Sequence, residues 1–580
     1  MTWNLYSGTM NKPDIEQRIR TLSKKCSTYP FLIQVLMNRG FTDEQIISII
    51  SNPVSLIPRT RLTNSIKAGK KILDTLKKNK NIAIFADYDC DGITSGYVMT
   101  DGIRKIRDKI GSKSNVIVRY PERKEGYGLS KKFCYKAMKA NIALIVTVDN
   151  GIGVIEEARL LQENDIELIV TDHHPAPEGI EENIIDYAYT VVDPNAIPCE
   201  NRPNSIYQAG VGVAWDVIKA ITENIAPELG INANEYAEVV ALGTIGDVMP
   251  MTPENMALVK IALAKINYTD KAMPFFKEYV KTGIDMTYRD VSWTIAPEIN
   301  AAGRIDSVWI AAAALFDQIN TKSLVSQLGR INAKRKKCTE DLTKGFDDIH
   351  LSYSERFVFY TVPEVDNNTG GLLGLAAGKL MDRYPKYPCY VCTEDNEGVY
   401  HGSIRCSSKV PLRDILTEAL EKDLIESFAG HDAACVMSIF KTKIDSFKEF
   451  FAKKYDELSL DFSDTDDYTY DASVPLSFIN ETNLKLINSI PFEKGREALF
   501  VVNNTLVLDY KETKSGGGFV RLSDNTSTKQ IFLFRDLFQK YISIGCPNEI
   551  DIIGTIEQDF MSNRTKATIR VLDIRISDQR

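Results

Sequence analysis

The stretch Ile82-Ala-Ile-Phe-Ala-Asp87-Tyr-Asp89-Cys-Asp91-Gly92 decides how the chain is read. A short apolar run bounded by turn signals reads as a buried strand. This one empties into three carboxylates within five residues, a density of like charge that repels itself unless cations occupy it. Two later runs repeat the arrangement: Ile142 to Val148 ends in Asp149-Asn150-Gly151, and Ile166 to Val170 ends in Thr171-Asp172-His173-His174. With Val116 to Val118 and the helical stretches between them, these runs alternate strand with helix, which predicts a parallel α/β sheet. In open sheets of that kind ligands bind beyond the carboxyl ends of the strands, where these acids and histidines fall.

Carboxylates joined by one or two imidazoles suit Mn²⁺ or Mg²⁺, whereas a structural zinc site would want thiolates. Asp247, in Leu242-Gly-Thr-Ile-Gly-Asp247, follows a helical run from Asn234 to Leu242 and can close such a site. Taken singly, each residue has a blander reading. Asp-x-Asp-x-Asp-Gly can be a calcium loop, Asp149-Asn150-Gly151 a turn, and either histidine structural. The calcium reading needs a bidentate Glu at the twelfth position from Asp87, where Val98 stands. The whole set predicts metal catalysis, because acids and imidazoles clustered at strand ends are costly unless functional.

The 580 residues suggest about three or four domains at roughly 150 residues each. The apolar and charged fractions, 44% and 26%, are those of globular chains, and no apolar stretch approaches the ~20 residues of a membrane span. The start shows no secretory pattern, so no membrane association and a cytoplasmic location are expected. Ten cysteines are too sparse for a disulfide scaffold; Cys389 and Cys392 have Cys-x-x-Cys spacing but sit in a strand-like run with no second pair to complete a zinc site. Seventy basic against 78 acidic residues give a net charge of −8, which taken alone argues against an electrostatic nucleic-acid binder. Acids gathered around cations in one site would remove that objection.

Residues 1–50 read as a helical lead-in, and 51–320 as the α/β catalytic domain with further helices. Residues 321–350, containing Arg-Ile-Asn-Ala-Lys-Arg-Lys-Lys, read as a long exposed linking helix. A second α/β domain covers 351–460, and the acidic stretch Asp461 to Asp471 marks a boundary. Alternating runs in 466–580, such as Ala498 to Leu508, Gln530 to Phe534 and Ile550 to Ile556, predict a small all-β module. Phe519, Phe532 and Phe534 there read equally as base-stacking or core aromatics.

Asp-Tyr-Asp-x-Asp-Gly, Val-Asp-Asn-Gly-Ile and Thr-Asp-His-His, in this order, resemble the DHH phosphoesterase superfamily, and within it the single-strand-specific 5′→3′ DNA exonucleases. Further matches are Glu125-Gly-Tyr-Gly-Leu129, Ala241-Leu-Gly-Thr-Ile-Gly-Asp247 and Pro297-Glu-Ile-Asn-Ala-Ala-Gly-Arg304, then Gly402-Ser403-Ile404-Arg405 and Gly430-His431, which resemble the DHH-associated domain. The resemblance implies a DHH catalytic domain, a DHH-associated nucleic-acid-binding domain and a C-terminal OB-like module. It implies that Asp89, Asp91, Asp149, His173 and Asp247 hold two Mn²⁺ or Mg²⁺ ions, with Asp149 as bridge and Asp87 as a further catalytic acid. His174 would face the scissile phosphate and Asp172 would orient the histidines, while Arg123, Arg304, Ser403, Arg405 and His431 would grip nucleic acid. The implied partner is single-stranded DNA, with a single-strand-binding protein or helicase beside it, and the implied setting is DNA repair and recombination. Two other readings stand: a phosphodiesterase of short oligonucleotides, cyclic dinucleotides or pyrophosphate, and a non-catalytic replication scaffold. A scaffold would be expected to lose ligands, and this sequence keeps them.

Overall fold

The computed structural model describes residues 3–5, 12–126, 128–176, 183–281, 283–349, 356–362, 369–460, 467–493, 495–559 and 566–577. Its first sheet has five strands, in the spatial order Val116–Arg119, Asn81–Ala86, Ile142–Val148, Glu167–Thr171 and Thr190–Val192. All four pairings are parallel. The inner strands are buried on both faces, which is why they read as continuous apolar runs and not as alternating ones. The chain winds from Asn81–Ala86 to one edge, then returns to build the other side, so strand order reverses between Asn81–Ala86 and Ile142–Val148. Ligands bind at such switch points. Ala86 pairs with Val148, Val148 with Thr171, and Thr171 with Val192, so Asp87, Asp149, Asp172 and Asp193 step off the sheet side by side.

Two compact units divide the chain: one comprises Met1–Tyr120, Gly128–Ala296 and Asp466–Arg580, the other Pro121–Tyr127 and Pro297–Thr465. In the first, the C-terminal module is an antiparallel sheet ordered Thr528–Leu533, Gly518–Ser523, Phe500–Glu512, Glu549–Gln558 and Ala567–Ile576. Bulges in Phe500–Glu512, between Val502 and Thr505 and between Val507 and Asp509, bend it toward an OB-like form around Phe500, Leu522, Leu533 and Ile552.

The N-terminal lead-in is not an isolated helical appendage. Its strand Trp3–Leu5 pairs in parallel with Tyr468–Tyr470, Trp3 Nε1 donates to Asp573 Oδ2 at 3.0 Å, and Val35 joins the core of the C-terminal module. Arg39 grips Asp471 through two hydrogen bonds, 2.7 and 3.0 Å. Asp471, read from sequence as the end of an acidic boundary, is fully buried; 461–466 lie outside the described residues.

The second unit holds a mixed sheet ordered Ser427–His431, Ala434–Phe440, Val399–Arg405, Cys389–Glu394 and Val358–Thr361. Cys389 and Cys392 are buried free thiols in one strand of it. The helix Thr321–Thr343 buries Ile331 and Leu342 in a core with Val358 and Leu380, and exposes Arg330, Lys334, Lys336 and Lys337. Among the described residues, no helix is long and apolar enough to cross a membrane.

Candidate metal centre

Each acid is placed by a local device. Asp89 caps the helix Cys90–Ile110, accepting the Gly92 N–H at 3.0 Å, and Asp91 sits buried in the first turn. Both Asp91 oxygens accept backbone N–H groups at the start of the helix Gly210–Lys219, Oδ2 from Gly210 at 2.6 Å and Oδ1 from Val211 at 2.9 Å. Asp149 has φ +60°, a left-handed conformation that Asp tolerates at some cost. Its neighbour Asn150 pins the turn by donating to the Phe85 and Val148 carbonyls, at 3.2 and 2.9 Å. Asp247 is the C-cap of the helix Ala237–Gly246.

These elements converge on one imidazole nitrogen. His173 Nε2 lies 3.2 Å from Asp149 Oδ1, 3.6 Å from Asp247 Oδ2 and 3.7 Å from Asp91 Oδ2. Ligand atoms within 4.8 Å of one another group as Asp87, Asp89 and Asp149; as Asp149, His173 and His174; and as Asp91, His173 and Asp247. Asp149 therefore stands in both the all-carboxylate set and a histidine set. The His173 ring hydrogen-bonds the Gln208 backbone while its buried Nε2 makes no hydrogen bond, which places the proton on Nδ1 and a lone pair among three carboxylates.

Such an arrangement is self-repelling without cations. Burial, then the Asp89 charge, raises Asp91 to about 7. Burial and the Asp91 charge raise Asp247 to about 8 and push Asp149 well above the usual carboxylate range. Burial and the neighbouring His174 lower His173 to about 4, so it is neutral and able to ligate. Divalent cations restore ionisation of the acids and meet the His173 lone pair, so the donor set fits two hard ions.

Asp172 is an organiser. Fully buried, it accepts N–H groups from Ile152 at 3.0 Å, His173 at 2.8 Å and His174 at 3.3 Å, and it pairs with His174 Nδ1 at 2.7 Å. Burial opposes its charge, but the His174 hydrogen bond and charge hold it below its ordinary pKa. Burial likewise works against the His174 cation; the Asp172 contact prevails and raises it to about 9. Asp193, raised to about 7 by burial and by Asp172, ends a strand that three residues made too short to read from sequence.

In the second unit, Arg304, Ser403 and Arg405 lie together at one helix start. Arg405 Nη1 donates to Ser403 Oγ at 2.7 Å and to the Ile404 carbonyl at 2.8 Å. Its guanidinium lies over Gly374, in the first turn of the helix Leu373–Arg383, where a Cβ would stand 2.8 Å from Nη2. Arg304 donates to the Gly371 carbonyl at 3.2 Å, just ahead of that helix. Burial and the nearby Arg123 both depress Arg405. Three guanidinium groups, the Ser403 hydroxyl and a helix amino end are the chemistry of an anion site. His431 ends the strand Ser427–His431, and its side chain lies outside the described residues.

Gln208, Gly210 and Val211 touch the ligand set through backbone atoms and were not legible as site residues. The available signal was Gln208-Ala-Gly-Val-Gly, a small-residue helix start that permits close approach.

The parallel sheet, its switch point and the strand-end acids define a DHH-type domain, and residues 81–244 match the DHH family, N-terminal domain. Over a longer span the chain is similar to RecJ proteins. It is 23% identical over 606 residues to the single-stranded-DNA-specific exonuclease RecJ of Bacillus subtilis, covering all of this chain and 71% of that protein. It is 28% identical over 456 residues to RecJ of Haemophilus influenzae, covering 75% of this chain and 76% of that protein. The structure of RecJ with Mn²⁺ from Thermus thermophilus superposes with a TM-score of 0.77 at 22% identity, over all of this chain and 80% of that one.

Proposed function

We propose that the protein is a metal-dependent, single-strand-specific DNA exonuclease that degrades its substrate 5′→3′ in repair and recombination. The observation that carries this is the placing of Asp149 in two adjacent ligand groups at the switch point of a DHH-type sheet. Asp89, Asp91, Asp149, His173 and Asp247 would hold two Mn²⁺ or Mg²⁺ ions, with Asp149 shared and Asp87 alongside. Ions bound there supply Lewis acidity for phosphodiester hydrolysis and neutralise the charge that develops on the phosphate.

The chain's own residues do the rest. Asp172 keeps the His174 proton at Nδ1 and its ring in one orientation, leaving Nε2–H for a phosphate oxygen. Arg123, Arg304, Ser403 and Arg405 hold strand phosphates and so fix position without reading sequence. On the OB-like module, a groove lined by Phe519, Phe532 and Phe534 together with Lys529, Lys566 and Arg570 offers stacking surfaces beside cations. Phe534 is 57% exposed, which favours the stacking role for that ring over a core role. A cytoplasmic setting is supported by ten free cysteines, and a single-strand-binding protein or helicase is the expected protein partner.

The test is hydrolysis of 5′-labelled single strand, matched duplex, dinucleotide and pyrophosphate, with and without Mn²⁺. Mn²⁺-dependent release of mononucleotides from the 5′ end of the single strand alone is expected. Cleavage of the dinucleotide or pyrophosphate with the strand left intact would overturn the reading.

A further inference from the structure

Next to the ligand set runs a connected chain of buried polar groups that hydrolysis itself does not use. Glu254, in the first turn of the helix Pro253–Tyr268, accepts from Arg202 and, at 3.0 Å, from Gln208 Nε2. Arg202 also donates to Asp216 Oδ1 at 3.0 Å, so its charge is doubly paired. Gln208 is 5% exposed. Its backbone meets the His173 ring, and two residues further on the Gly210 and Val211 N–H groups hold both oxygens of Asp91. The peptide units just before it are tied as well: Asn255 Nδ2 donates to the Tyr207 carbonyl at 2.8 Å, and Asn195 Nδ2 donates to the Ile206 and His173 carbonyls at 3.4 and 2.6 Å.

Stability alone does not account for a glutamine here. Gln208 Oε1 is buried and makes no hydrogen bond among the described residues, a desolvation cost that an apolar side chain of similar length would avoid. What the glutamine supplies is one N–H that ties the 206–211 segment to Glu254. That segment in turn contacts His173 and Asp91 through main-chain atoms, which no side-chain substitution elsewhere could replace.

We propose that Gln208, anchored by Glu254, is a positioning residue that fixes the tautomer and aim of His173 and the seat of Asp91, and so sets the affinity of the centre for a divalent ion. This rests on the metal reading above. Partners that orient ligands in this way typically govern roughly 10–100-fold in metal affinity.

The experiment is titration of the full chain with Mn²⁺, followed by electron paramagnetic resonance of the free ion, with metal-free melting temperatures recorded in parallel. Gln208→Met, which keeps length but loses the donor, is expected to bind Mn²⁺ about 10-fold or more weakly. Glu254→Gln, which keeps an acceptor oxygen for Gln208, is expected to stay nearer the wild type. Unchanged Mn²⁺ affinity in Gln208→Met overturns the proposal, whether or not the metal-free protein melts lower. If Gln208→Met does not fold, Gln208→Ala repeats the measurement; failure of both to fold makes the contact a folding determinant and overturns the proposal. Wild-type protein that binds no Mn²⁺ would instead bring down the metal reading, and this proposal with it.

Discussion

A Cβ on Gly210 would stand 2.5 Å from Asp149 Oδ1 and 2.6 Å from the Asp149 Cβ. The start of the helix Gly210–Lys219 thus reaches Asp149 by close approach and Asp91 by hydrogen bonds, and only glycine leaves room for both. Gly210→Ala must displace either the helix or the carboxylate. We expect a stability loss of about 1–3 kcal/mol by thermal melting and at least ~10-fold weaker Mn²⁺ binding. A variant with wild-type affinity would show that the helix yields and Asp149 does not move.

Asp149→Ala and His173→Ala should each lower hydrolysis of a labelled single strand by more than about a thousandfold, as loss of metal binding implies. Without metal, Asp149→Ala should melt at or above the wild-type temperature, because it removes a buried acid held among like charges. Calorimetry of the chelated proteins checks this, and a large drop in melting temperature would argue against a functional origin for the clustering.

Metal withdrawal should also register in stability. Mn²⁺ at about 100 times its dissociation constant should add about 2.7 kcal/mol to unfolding, and chelator should return the protein to its starting point. Denaturant unfolding with and without Mn²⁺ gives the difference directly.

Arg405→Ala should weaken single-strand binding for every sequence tested and reduce the slope of log affinity against log salt by about 0.7, the value for one phosphate contact on a single strand. Fluorescence anisotropy across a salt series reads both. An unaltered slope would remove Arg405 from the strand-binding group.

Lys260 gives a pH signature away from the metal centre. Its Nζ donates to the Ile49 carbonyl at 2.8 Å, and burial lowers its pKa to about 8 from the ordinary 10.5. Below about 8 the folded protein carries the full cost of a desolvated cation. Between about 8 and 10.5 the unfolded chain binds the extra proton, so this contribution to stability rises with pH. Lys260→Met should therefore stabilise most near pH 7, with its advantage shrinking toward pH 10 in denaturant titrations.

Asp87, Asp149, Asp172 and His173 were legible because each follows an apolar run, and parallel register makes the ends of such runs neighbours. Asp193 was not, since Thr190–Val192 is too short for its pattern to stand out. Gln208 and Gly210 meet the site through main-chain atoms, and what makes their identity matter, the Gln208 side-chain tie to Glu254 and the close approach of Gly210 to Asp149, arises only in the folded chain. Asp471 misled for a different reason. Its acidic neighbours suggested a solvated boundary, whereas its partner Arg39 stands 432 residues earlier. Arg304 and Arg405 come from motifs far apart in the chain, and only the fold brings both beside the start of the helix Leu373–Arg383.

The pairing of Trp3–Leu5 with Tyr468–Tyr470, and of Trp3 with Asp573, bears on how the polypeptide is made. Trp3–Leu5 leaves the ribosome long before Tyr468–Tyr470 and Asp573 are made, and its docking must wait for them. Contacts of such sequence separation form slowly. Loss of Trp3–Leu5 would therefore uncover Val501 and Ile553 of the C-terminal module.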